Sequence, residues 1–458
     1  MKLIKNKQLT YSVIIDEDIP HMNPYHHSTN IEFYNGALKI AEFNNRHKGI
    51  IDNSFYRWIE DENVCEDSVF WFLYDLPLYQ LNKLNTMLGQ PLQKSYIMYY
   101  DESNNNLKFQ FKNKALNTAI ENDFVLAGIA FDINNKIEEF EIKSLFDSFK
   151  LQSNITDIKL NHLIGKKVLR KNKELSKFEL VLRSSNIEIL FKWLLEQNVF
   201  IHCSAVNLLY YSLVDIIDSL IIAPREMLDS MKNVLFHCVL KDREKFLSFL
   251  ASYNYPNLNK KNIGFFCSDF LDWIEGINPI NEINDFNIEM IKQLLKKAKR
   301  DNQYPYLENN QDGVMIENYK VLYLERLMSF PYSKHYFDEI SEIQEDFDEY
   351  CDEVLKENVF YEFIKSDGNY WIELSDIISG IFGSFFIFLN THDEDAINEC
   401  VNRMDDSSKK NLVMLHLILD KATNKEEKFV HYSACHMEIE RAIYLQRVAE
   451  LLKKEMNM

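Results

Sequence analysis

The chain has 458 residues, 46% of them hydrophobic and 13% aromatic, enough for a packed interior and too long for a single core, so two or three structural units are expected. Gly (11) and Pro (9) are scarce, which argues against flexible linkers and low-complexity tails. The net charge of −19 weighs against indiscriminate binding to phosphate backbones, because that affinity rests on Lys and Arg. A nucleic-acid function would need a local basic track or a basic partner, whereas an acidic metal site fits the charge.

Residues 1–95 read as a small α/β unit, with strands in YSVIID and IEFYNGALKIAEF and an amphipathic helix in DSVFWFLYDLPLYQLNKLNTML. PLQK at 91–94 marks a boundary. SYIMYYD then reads as a strand, LKFQFK as its partner, and FVLAGIAFD as a strand at a sheet centre. EEFEIKSLFDSF predicts a helix, TDIKLNHL a short edge strand, and IEILFKWLLEQN a strongly periodic helix. VFIHCSAV is a buried strand and LLYYSLVDIIDSLI the helix after it. Residues 225–330 read as a helical insertion. The α/β pattern resumes with YSKHYFD (strand), SEIQEDFDEYCDEVLKE (acidic helix), VFYEFIKS (strand) and WIELSDIISGIFGSFFIFLN (long apolar helix), and residues 391–458 close the chain as a helical segment. Strands alternating with helices predict an α/β fold with a mixed sheet covered by helices.

The seven cysteines are widely spaced with no C-x-x-C pair, which removes zinc-finger and thioredoxin readings and predicts reduced, mostly buried thiols. The N-terminus lacks a signal-peptide core, and no run approaches the roughly 18 apolar residues of a membrane span. The expectation is a soluble, cytoplasmic protein.

P-loop, G-x-G-x-x-G, H-E-x-x-H and G-x-S-x-G signatures are all missing. What remains is acidic residues at strand ends and on one apolar helix. Asp101 and Glu102, in YYDESNN, end the first strand of the second unit; VIIDED at 13–18 shows the same apolar-to-acidic switch. Asp376 opens a dozen uncharged residues, where a carboxylate is costly unless paired or metal-bound, and Glu373 shares its face at i, i+3. The alternative is a solvated helix end around Ser375 and Asp376. Asp338, three residues after His335, ends another strand, and capping of the next helix is the plainer reading. Asp157, with Lys159 on the same face and His162 beyond, is equally well read as an edge-strand salt bridge. His202 and Asn207 lie at the end of a buried strand, where a histidine is more often a satisfied core residue than a ligand. Two-metal phosphoryl transfer needs three or four carboxylates converging on Mg²⁺ or Mn²⁺, and Asp101, Asp157, Asp338 and Asp376 meet that need in type.

In order, YYDESNN, FVLAGIAFD, TDIKLNHL, FKWLLEQNVFIHCSAVNLLYYSLVDIIDS, FPYSKHYFDE and FIKSDGNYWIELSDIISGIFG resemble an uncharacterised bacterial family of RNase H-like fold with a "DESG"-type first strand, over residues 96–390. The resemblance implies an RNase H-like domain with Asp101, Asp338 and Asp376 as acidic-site residues, and a nuclease acting in phage or mobile-element defence. The chain departs from the pattern at three places: Asn104 replaces the motif's glycine, Lys365 precedes Ser366 where an aspartate is usual, and Asp157 takes a place usually held by glutamate. The leading expectation is a Mg²⁺- or Mn²⁺-dependent nuclease with Asp101, Asp338, Asp376 and Asp157 as metal ligands. Glu102 would support them, and Lys159 or His162 would steady the phosphate or relay a proton. The alternative is a non-catalytic RNase H-like sensor, its acidic surface around 338–357 docking a protein partner. A third is a defence effector restrained by its N-terminal unit.

Overall fold

The computed structural model describes residues 94–458 apart from 106, 136, 152–157, 222–224, 278–281, 346, 355–358, 367 and 457–458, and in the first 93 residues the backbone of four strands. The chain divides into two compact units, Met1–Lys94 and Ser95–Met458. In the first, β1 (Lys2–Lys5), β2 (Tyr11–Pro20), β3 (His27–Asn35) and β4 (Leu38–Asn45) form an antiparallel sheet in chain order. VIIDED runs within β2 rather than ending it. The helix expected over DSVFWFLYDLPLYQLNKLNTML lies outside the described residues.

The second unit is built on a six-stranded mixed sheet. Its strands are β5 (Tyr96–Ser103), β8 (Asp123–Asp132), β9 (Phe200–Asn207), β11 (Lys334–Asp338), β12 (Phe360–Ile364) and β13 (Val430–Ser433), in the order β12-β11-β5-β8-β9-β13. β8 alone runs against the others, so the C-terminal ends of the remaining five gather at one edge. The central position of β8 follows from its composition: nine of the ten residues of DFVLAGIAFD are buried.

Helices α1 (Glu139–Ser148), α2 (Leu160–Ile164), α3 (Lys166–Lys171), α4 (Lys177–Leu182) and α5 (Ser185–Glu196) link β8 to β9. After α6 (Leu208–Asp218), a helical lobe with its own apolar core holds α7 (Arg225–Lys241), α8 (Arg243–Ser252), α9 (Ile263–Glu275) and α10 (Glu282–Asp301). α11 (Lys320–Ser329) leads back into β11, and α12 (Ser341–Gln344) and α13 (Phe347–Val354) separate β11 from β12. α14 (Tyr370–Thr391) crosses the sheet, followed by α15 (Glu394–Asn402), α16 (Asp406–Lys425) and α17 (His436–Glu455).

Three expectations are corrected. LKFQFK does not pair with the first strand of the sheet; its β6 (Phe109–Lys112) joins β7 (Ala115–Leu116) and β10 (Val314–Ile316) in a separate small sheet. The latter half of TDIKLNHL is helical, not an edge strand, because Leu160, Leu163 and Ile164 bury at i, i+3, i+4 spacing. The single acidic helix expected from Ser341 onward is two, α12 and α13.

α14 is long and apolar enough to cross a membrane, with mean hydropathy 1.7 over its most apolar window, but 83% of that window is buried inside the fold. Its side chains fill the main core instead of facing lipid. It lies so close to the sheet that a Cβ on Gly383 would meet the Ser103 side chain, with the Ser103 Cβ at 2.9 Å. At Gly128 of β8 a Cβ would collide with the Tyr99 carbonyl and come within 2.7 Å of Ser375 Oγ. The six described cysteines outside unit 1 (203, 238, 267, 351, 400 and 435) are all free and buried, as the composition suggested.

Candidate acidic site

Register brings the first two carboxylates together. β5 and β11 are parallel and paired up to Tyr100↔Phe337, so the next residues, Asp101 and Asp338, stand side by side at the C-terminal edge. Alternation sends both to the face occupied by Tyr99 and Tyr336 two residues earlier. Those rings stack at 5.0 Å and 17°, and Trp371 of α14 stacks on Tyr99 at 5.5 Å and 14°. The same face is therefore covered by α14, and Asp376 comes to the edge one turn and a half beyond Trp371. Asn369 fixes the start of that helix, its side-chain oxygen accepting from the N–H groups of Trp371 (3.1 Å) and Ile372 (3.3 Å). Asp376 is thus well inside the helix, not a frayed end, and Ser379 Oγ donates to the Glu102 carbonyl at 3.3 Å.

The electrostatics reflect this convergence. Burial lifts the Asp101 carboxyl well above its ordinary range, and the charges of Asp376 and Asp338 lift it further, against the backbone N–H of Glu102 (2.6 Å to Oδ1) and the ammonium of Lys159. Glu102 is also raised well above its usual value, first by burial and then by Asp101 and Asp338. Asp338 is raised by burial and by Asp376, although the Glu339 N–H at 3.0 Å opposes the shift. Asp101, Glu102 and Asp338 form no ion pair with a described residue, and Glu102 Oε1 is buried without a hydrogen-bond partner. Among the described residues no three His, Cys, Asp or Glu side chains stand close enough to hold a metal ion as they are placed.

The other residues singled out in the sequence fall as follows. Asp157 lies outside the described residues. Lys159 sits at the N-cap of α2 within electrostatic reach of Asp101 and Asp338. His162 Nδ1 accepts the Lys159 backbone N–H at 3.2 Å and so caps α2. Glu373 is buried in α14. Lys365 pairs at 4.0 Å with Glu339 on the surface. On the opposite face of the sheet, His335 Nε2 meets the Phe330 carbonyl at 3.0 Å and must carry the proton, so Nδ1 accepts from Tyr100 OH at 2.9 Å. His202 Nε2 donates to the Tyr99 carbonyl at 2.9 Å, and Asn207 caps α6 through the Tyr210 N–H at 2.9 Å. Burial holds both imidazoles far below their usual range and therefore neutral.

The sequence reading missed Lys177, at the first position of α4. Desolvation lowers its pKa while Asp376 opposes that fall, which places its ammonium near the third carboxylate. Its only sequence signal is position: it follows Ser176, the cap of a helix that packs on α14.

No family model, curated protein or solved structure matches the chain.

Proposed function

We propose that the second unit is a metal-dependent phosphodiesterase of RNase H-like fold, a nuclease whose acidic site is Asp101, Asp338 and Asp376. The observation that carries the reading is the convergence of these carboxylates, with Glu102, at one sheet edge and without a described cationic side chain in ion-pair contact with Asp101, Glu102 or Asp338. Uncompensated buried carboxylates are costly unless a cation completes them. The arrangement of the sheet, one strand running against the rest and a helix laid across the carboxylate-bearing face, also supports the RNase H-like reading.

In donor type the residues suit Mg²⁺ or Mn²⁺. Every donor is a hard oxygen, and the buried, unpartnered Glu102 Oε1 is a free acceptor behind them. When bound, such ions supply activation of a water and neutralisation of charge at the leaving oxygen. Asp101 and Asp338 would hold them from the sheet and Asp376 from the helix. Lys159 and Lys177 border the site from α2 and α4 and would bind the phosphate oxygens. The stack of Tyr99, Tyr336 and Trp371 braces the strand ends and α14 beside the carboxylates.

A non-catalytic scaffold acting through a partner is the second reading, favoured by the absence, among described residues, of a ligand set already drawn together. Two measurements separate them. Calorimetric titration with Mn²⁺ should show binding that Asp101→Asn with Asp376→Asn removes; a silent wild-type titration favours the scaffold. Labelled RNA and DNA should be cut in Mg²⁺ or Mn²⁺ by the wild type and not by the folded double variant. Equal cleavage by the two proteins would sink the nuclease assignment.

A further inference from the structure

A chain of −19 that acts on a polyanion needs a local reversal of charge, and residues 159–177 provide one. Seven of these nineteen residues are Lys or Arg (159, 166, 167, 170, 171, 173 and 177), against one carboxylate, Glu174. All seven are exposed. α3, with the sequence KKVLRK, buries none of its six residues, so the hydrophobic core does not explain its composition. Lys166, Lys167, Arg170, Lys171 and Lys173 form no ion pair with a described residue.

The track also has a fixed place. α2 and α4, at its two ends, both pack on α14. Leu160 lies so close to Gly380 that a Cβ there would sit 3.1 Å from it. The terminal lysines lie on helices packed against α14 and within electrostatic reach of the acidic site, Lys159 of Asp101 and Asp338 and Lys177 of Asp376. We infer that α2, α3 and the start of α4 form the cradle for the sugar–phosphate backbone of a nucleic acid, leading a scissile phosphate to the edge where β5 and β11 end. The inference rests on the nuclease reading and adds the path of the strand. The other basic stretch, in α10, has five basic residues against four acidic ones and packs on α7 and α9 in the helical lobe, so it does not compete.

The test uses the full chain carrying Asp101→Asn and Asp376→Asn, in EDTA, so that binding is read without cleavage. The probe is a fluorescein-labelled oligonucleotide, single-stranded or annealed to its complement, followed by anisotropy across a salt series. Adding Lys166→Ala, Lys167→Ala and Lys171→Ala should weaken binding about tenfold or more. It should also flatten the log–log salt slope by about 2 to 3, roughly one unit for each phosphate no longer neutralised. Changing Lys296, Lys297 and Lys299 of α10 to Ala, with the same loss of charge, should leave both nearly unchanged. Equal weakening by the two triple variants, or no binding by the parent, would overturn the inference. A chain that binds through the track yet never cleaves would sink the nuclease reading and leave the cradle standing.

Discussion

At the scale of single residues the acidic site is a destabilising feature kept in place by its surroundings. Asp101, Glu102 and Asp338 all have carboxyl groups raised above their ordinary range, chiefly by burial and then by one another's charge. A raised carboxylate pKa gives stability that is complete below the unfolded-state value and disappears as pH climbs through the folded-state value. In neutral or alkaline buffer containing EDTA, Asp101→Asn should therefore make the protein more stable, by on the order of 1 kcal/mol, and should remove the metal binding proposed for the site. Denaturant titration would show this, and a less stable variant would mean that the charge is compensated in the folded state. If the site takes the metal proposed for it, the same shifts would govern cation affinity. Protons and Mn²⁺ compete for the same oxygens, so binding should strengthen as pH rises and release protons, seen as a dependence of calorimetric enthalpy on buffer ionisation. Asn104 belongs at this scale too. Its φ of 62° lies in the left-handed region, which glycine adopts freely and asparagine tolerates better than most side chains. Its Nδ2 also donates to the Asp123 carbonyl at 3.0 Å, a bond glycine could not make.

At the scale of elements, α14 decides whether the site exists, because it alone brings Asp376 to the strand ends. Its seating depends on Gly383 against Ser103 and on the Asn369 cap. Gly383→Ala would drive a Cβ into the Ser103 side chain and should cost about 1–3 kcal/mol. Ser103→Gly in the same chain should recover part of that cost. A double-mutant cycle without coupling would show that the helix shifts freely. Most such elements were readable in the sequence: the apolar run of FVLAGIAFD, the period of IEILFKWLLEQN and the uncharged stretch of α14 are local signals of burial. What escaped was non-local. β13 is a four-residue VHYS that becomes a strand only by pairing with β9 more than two hundred residues away. LKFQFK carried a genuine strand pattern, but its partners are β7 and β10. Asp101, Asp338 and Asp376 stood out because each interrupts an apolar segment, whereas Lys177 sits among other exposed lysines and gains meaning only from the packing of α4 on α14.

At the scale of the second unit, a further polar junction ties the C-terminal elements to the sheet. Asp123, fully buried at the start of β8, accepts from Asn390 Nδ2 of α14 at 2.8 Å and from Tyr432 OH of β13 at 2.9 Å. Glu438 of α17, also buried, accepts from Asn207 Nδ2 of β9 at 3.0 Å, and its Oε2 has no partner. Burial raises Asp123 to about 7, and burial together with the charge of Asp123 raises Glu438 to about 8, with Arg441 opposing. Both shifts are upward, so the junction stabilises most fully below the ordinary carboxylate values of 3.8 and 4.5 and weakens as pH passes through about 7 to 8. Unfolding free energy from urea titration should fall over that range, and Glu438→Gln, which keeps the shape and removes the charge, should flatten the fall. The acidic site contributes a decline of the same sign, so the two must be separated. Mn²⁺ should restore stability lost at Asp101 and Asp338 and leave untouched the part due to Asp123 and Glu438, which lie at a different junction. In saturating Mn²⁺, the wild type should therefore still lose stability with rising pH and the Glu438→Gln variant should lose less. Parallel profiles for the two proteins would show that Glu438 carries the same charge in the folded and unfolded chains over this range, so that its carboxyl is not raised by burial.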